Sequence, residues 1–150
     1  MTSVNNLSGS QAVPAEADHI AGLLGLAMRR LRAEILAESE EMFPGLRVSH
    51  YRLLEMIPAE GARITDLAEV AGMTKQGLGQ HVDYLQRLGF TESDRLSADR
   101  RVRLVRRTPR GDEAVAFSRA AIARVEELWE ERLGRERYAV LRETLRELGS

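Results

Sequence analysis

The sequence predicts a mainly α-helical fold with one small β-wing, on three observations. Apolar residues recur three and four apart through most of the chain. Two short helical stretches are joined by a turn containing Gly72. Strand-like segments occur only around Phe90 to Asp94 and Val102 to Arg107, with a polar, basic stretch between them.

The elements follow in order. Residues 1–15 are rich in Asn, Ser, Gly and Pro without periodicity and read as a disordered tail. From Glu16 to about Met42, Ile20, Leu24, Ala27, Leu31 and Ile35 mark an amphipathic helix that Pro44-Gly45 ends. Ser49 is the expected N-cap of a short helix carrying Leu53, Leu54 and Ile57, closed between Pro58 and Gly61. Thr65 is the expected cap of the next helix, with Leu67, Ala68 and Ala71 inside. After Gly72, Thr74 caps a helix whose buried stripe is Leu78, Val82, Leu85 and Leu88, and Gly89 stops it. Together these two form a helix-turn-helix. The following hairpin carries Arg95, Arg100 and Arg101 at its tip, the position of a wing. Thr108-Pro109 then opens a long helix through Val115, Ile122, Val125, Trp129 and Leu133. Gly134 interrupts it before a terminal helix with Tyr138, Leu141, Leu145 and Leu148.

The expected organisation is one domain over 16–150: a winged helix-turn-helix at about 46–110 and dimerisation helices at about 16–43 and 110–148. Aromatics are only 5% of the 150 residues, so the core must be aliphatic. There are no cysteines, which excludes disulfides and thiolate zinc sites and agrees with a cytoplasmic location. No apolar run approaches the roughly 20 residues that span a membrane, and no signal peptide is evident. The net charge is −1, yet residues 61–110 hold ten Lys/Arg against six Asp/Glu, a basic centre between acidic flanks.

The Thr74 helix has one apolar face, while Lys75, Gln76, Gly79 and Gln80 occupy the outer face of its first two turns. A major groove admits one such helix. Gln can bond adenine in a bidentate manner, Lys can donate to guanine or phosphate, and Thr74 can reach phosphate through its hydroxyl. Gly77 and Gly79 each cost the helix roughly 1 kcal/mol relative to Ala, which close backbone approach to a partner would justify. Double-stranded DNA is therefore the expected partner. The competing reading is a winged-helix protein–protein interaction module, which would more naturally expose apolar or aromatic anchors on this face.

The sequence resembles the MarR family of bacterial transcription regulators from the helix near Ile20 through the terminal leucines. Asp99-Arg100-Arg101 matches the family's Asp-x-Arg wing, followed by Leu104-Val105 and Thr108-Pro109-x-Gly111. Ile64-Thr65-Asp66-Leu67-Ala68 and Val82-Asp83-Tyr84-Leu85-x-x-Leu88-Gly89 match the two helices of the reading head. The resemblance implies a homodimer held by the terminal helices that reads a pseudo-palindromic operator, as a repressor. It places Arg101 in the minor groove beside Arg100, with Asp99 holding the wing. It departs at Arg107, where the family commonly has an apolar strand residue, and at Gln80, where many members carry arginine. It also implies an effector pocket for a small aromatic or phenolic compound, with His50, Tyr51 and Trp129 as candidates.

His19, His50 and His81 fall on three separate predicted helices without metal-ligand spacing. No Gly-rich phosphate loop or nucleophile elbow is present. No metal, cofactor or catalytic residue is assigned, and an enzyme is not expected.

Overall fold

The computed structural model describes residues 18–150; the tail predicted for residues 1–15, and the start of the helix predicted from Glu16, lie outside them. Helix α1 is Ile20–Leu36, and His19 caps it by accepting from the Gly22 N–H through Nδ1 at 3.1 Å. A separate short helix, α2 (Ser39–Met42), follows a two-residue break, where one continuous helix was expected. The cause is tertiary. Ser39 is buried and its Oγ lies 2.5 Å from the Tyr51 hydroxyl, so the chain turns to seat Ser39 and then Phe43 in the core.

Helix α3 spans Val48–Met56, with Arg47 rather than Ser49 at the N-cap. The Arg47 N–H donates to His50 Nδ1 at 3.0 Å, the imidazole at N3 taking the part that a Glu or Gln side chain plays in a capping box. Residues Ala62–Arg63 then form a two-residue strand, β1, which displaces the expected cap: α4 (Ile64–Ala71) starts from Arg63, with Thr65 inside the first turn. Gly72 closes α4 at φ 63° in the left-handed region that glycine adopts without steric cost. Helix α5 (Lys75–Arg87) is capped as expected, Thr74 Oγ1 accepting from the Gly77 N–H at 3.0 Å.

The strands β2 (Thr91–Arg95) and β3 (Arg103–Arg107) each begin one residue later than expected. The antiparallel sheet has the order β1-β3-β2, with Ala62 opposite Val105 and Arg95 opposite Arg103. Thr108 caps α6 (Pro109–Leu133), and Gly134 separates it from α7 (Arg135–Gly149).

The core lies where α3, α4, α5 and the sheet meet the first turns of α6, and Leu54, Leu78, Val82, Leu85 and Val105 are fully excluded from water. Each such aliphatic side chain contributes about 1.5–3 kcal/mol relative to exposure. Phe43 sits edge-on to Phe90 and Phe117 at 6.1 and 5.4 Å and joins the start of α6 to this core. The outer helices are different. Of the seventeen residues of α1 only Ile35 is buried, while Ile20, Leu23, Leu24 and Leu26 are exposed. Val140, Leu145 and Leu148 of α7 are exposed as well.

Candidate nucleic-acid interface

Helix α5 has two unlike faces because its apolar residues recur at helical spacing. Leu78, Val82 and Leu85 are at 0% exposure, whereas Thr74, Lys75, Gln76 and Gln80 are all exposed. Gly79, expected on the outer face, is half-buried at the edge of α5 that faces Ile64 of α4. A Cβ built on Gly79 would meet only Ile64 Cδ1 at 3.8 Å, so the fold itself leaves room for a side chain there. At Gly77 a Cβ would come within 3.1 Å of the capping Thr74 Oγ1, so there the missing side chain protects the cap.

The wing loop closes on Asp99. Its carboxylate accepts the Arg101 N–H at 2.9 Å and its carbonyl accepts the Val102 N–H at 3.0 Å. This folds residues 96–102 into a tight tip and turns Arg100 and Arg101 into solvent. Among the described residues neither arginine side chain has an ion pair or hydrogen bond. The other wing arginines are engaged. Arg106 pairs with Asp94 at 3.0 Å, and Arg103 reaches across to α5, donating to Asp83 at 2.7 Å, Gln86 at 3.4 Å and Ser93 at 3.0 Å. The Arg103 brace was not anticipated from sequence. It ties the loop end of the β2–β3 hairpin to the last turns of α5.

None of the three candidates for an effector pocket lines the cleft described below. Tyr51 and His50 are buried within the fold, and Trp129 is half-buried far along α6. His50 stacks on Tyr84 at 5.0 Å and stands 5.8 Å from the His81 ring, a neighbour that separate predicted helices did not disclose. Burial, then the nearby His81 and Arg47, hold the His50 imidazole below its ordinary value of 6.5. Burial likewise pushes the Tyr51 hydroxyl up, against the opposing effect of its bond to Ser39. No group of three His, Asp or Glu able to hold a metal ion occurs among the described residues.

A cleft of about 590 Å³ opens between α1, α3 and the turn into α5. Met28, Leu36, Leu53, Met56 and Met73 give it apolar walls; Arg32, Arg47, Arg52 and His81 also line it. Among the described residues none of these three arginines forms an ion pair.

No family model matches the chain, and no curated protein does. Solved structures match it closely in shape. A transcriptional repressor, CouR, bound to a 23-mer DNA duplex superposes with a TM-score of 0.74 at 22% identity, covering 89% of this chain and 94% of that one. A MarR-family transcriptional regulator from Rhodococcus sp. RHA1 gives 0.69 at 21% identity, covering 91% and 97%. The PcaV regulator from Streptomyces coelicolor, in complex with its natural ligand, gives 0.68 at 21%, covering 92% and 96%. No helix among the described residues is long and apolar enough to cross a membrane. At these identities the likeness is one of architecture, and the fold of this chain is that of the MarR-family winged-helix regulators.

Proposed function

We propose that this chain is a DNA-binding transcription regulator of the cytoplasm, without enzymatic activity, that acts as a homodimer on a pseudo-palindromic operator and represses from it. The observation that carries the reading is the pairing of an apolar-anchored α5, whose outer face presents Thr74, Lys75, Gln76 and Gln80, with a wing tip presenting Arg100 and Arg101. Glutamines suit base edges in the major groove. A guanidinium on a thin hairpin suits a narrow minor groove, whose negative potential attracts it. Asp99 serves by holding the wing loop closed rather than by touching DNA. The exposed leucines of α1 and α7 supply the apolar area for a dimer.

The cleft beside α3 supports release by a small molecule. Apolar walls with three arginines that lack ion pairs suit an aromatic or phenolic compound carrying a negative charge. His81 lies on both the cleft lining and α5, so an occupant would touch the reading helix directly.

The test begins with selection of bound duplexes from a random pool. Arg101→Ala should then weaken selected and scrambled duplexes by similar factors and flatten the salt dependence by about one phosphate equivalent. Gln76→Ala or Gln80→Ala should cost about 1–3 kcal/mol on the selected duplex and much less on scrambled DNA. Light scattering at micromolar concentration should give twice the 16.8 kDa chain mass. If all three variants bind as the parent does, this face does not read DNA and an interaction module becomes the better reading.

A further inference from the structure

Arg107 ends β3, one residue before the cap of α6, and its side chain is only 16% exposed. Its guanidinium spans two helix ends. Nε donates to Asp112 Oδ1 at 2.6 Å in the first turn of α6, and Nη1 donates to the carbonyls of Leu54, at 3.0 Å, and Ile57 at the end of α3. The placement suits both dipoles, with a cation on the carbonyl end of α3 and an anion at the amide end of α6. An apolar residue of similar volume would fill the space and hold neither end.

The rest of this junction is equally close. Thr108 Oγ1 donates to the Gly89 carbonyl at 2.6 Å, and a Cβ on Gly111 would fall 2.2 Å from the Phe90 carbonyl oxygen. Here α6 leaves the reading head. Thr108 and Gly111 pin the start of α6 to the chain just after α5, and Arg107 ties it to the end of α3; further along, Arg119 pairs with Glu55 at 2.9 Å and Phe117 packs on Tyr51. Arg107 is the polar tie at the point where α6 leaves the head, where a small change of angle is carried furthest along the helix.

We propose that Arg107 is a positioning residue that fixes the angle between the reading head and α6, and with it the half-site spacing the dimer accepts. The inference rests on the DNA-reading dimer proposed above. The geometry makes a small angle matter. Helix α6 has 25 residues, and a tilt of about 5° over a lever of about 20 Å, roughly half its length, moves a head by about 2 Å. That is more than half of the roughly 3.4 Å between base pairs, and two heads move in opposite senses.

The experiment compares the full chain with Arg107→Met and Arg107→Lys on the selected operator and on versions with the central spacer one base pair longer or shorter. Circular dichroism establishes folding, and anisotropy titrations give affinity. Arg107→Met should bind the best spacer about fivefold or more weakly, the loss of roughly one base contact. It should lose proportionately less on the altered spacers, so the spacing preference flattens, and Arg107→Lys should restore part of it. A preserved preference, or a uniform loss on all three duplexes, overturns the proposal. Should Arg107→Met fail to fold, Asp112→Asn carries the test, because that carboxylate is exposed and its loss removes the ion pair and the anion at the amide end of α6 while leaving the Arg107 bonds to α3 in place. An unchanged spacing profile in Asp112→Asn then overturns the proposal. A parent that binds no duplex at any spacing refutes the DNA reading itself, and this inference with it.

Discussion

Replacing Gly79 with alanine separates what α5 needs in order to fold from what it needs in order to bind. In a helix interior alanine is favoured over glycine by about 1 kcal/mol, through lost backbone entropy in the unfolded chain. The usual reason for that gain to vanish is a clash, and here there is none: the nearest atom to a new Cβ, outside the helix itself, is Ile64 Cδ1 at 3.8 Å, an ordinary van der Waals contact. Backbone geometry offers no objection either, since Gly79 is not among the glycines with positive φ. Gly79→Ala should therefore raise stability by about 1 kcal/mol, or about 2–4 °C in Tm for a chain of this size at fixed protein concentration. DNA binding should move the other way. Gly79 stands one residue before Gln80 at the α4-facing edge of α5, and in the proposed complex a methyl there would crowd the approach of this turn to the groove, weakening base contacts worth about 1–3 kcal/mol each. Thermal denaturation and operator titration on one preparation give both quantities. A variant that is more stable and binds as tightly as the parent refutes the close approach of this backbone to DNA. A destabilised variant refutes the local packing argument.

Gly111→Ala should behave oppositely: the added Cβ meets backbone, the Phe90 carbonyl oxygen at 2.2 Å, so an overpacking cost of about 1–3 kcal/mol or more outweighs the roughly 1 kcal/mol helix gain. Urea denaturation would show a lower midpoint, and a parent-like midpoint would contradict the tight junction. Acid should also weaken the fold through His50. Its folded value lies below the 6.5 of the unfolded chain, so the unfolded chain takes up the proton first: the contribution is full above about pH 6.5, declines as pH falls below that, and levels off beneath the folded value. His50→Gln, which keeps a side-chain acceptor for the Arg47 N–H, should flatten the slope of stability between pH 7 and pH 5; an equal slope in parent and variant would exclude His50 as its source.

The winged helix-turn-helix was legible because its signals are local. Thr74 caps α5, Gly72 and Gly89 take positive φ, and the Leu78, Val82, Leu85 stripe is buried as its spacing requires. What sequence missed depends on partners distant in the chain. The break after α1 follows from Ser39 meeting Tyr51, twelve residues on. Two residues of β1 carry no periodicity and exist because β3 offers them an edge. Arg47 and Arg63 displaced Ser49 and Thr65 as caps because an imidazole and a strand, rather than a hydroxyl, set the helix starts. His50 and Tyr51 were candidates for a pocket that the family resemblance implies; in this chain both are buried and neither lines the cleft bordered by the arginines of α1 and α3. Arg107 was visible as an anomaly, a charge where a strand wants an apolar residue; its meaning required the two helix ends it joins.

Helix α1 has a consequence for how the protein responds to its own abundance. A seventeen-residue helix that buries one side chain against its own chain is marginal in water by itself, so its order must be borrowed from whatever covers its outer leucines. In the proposed dimer that cover is the second subunit, which makes helix order, melting temperature and operator occupancy functions of concentration together. Below the dimer's dissociation constant, occupancy then climbs with the square of protein concentration. Diluting the chain, as growth without new synthesis does, would lift the proposed repression more sharply than proportion.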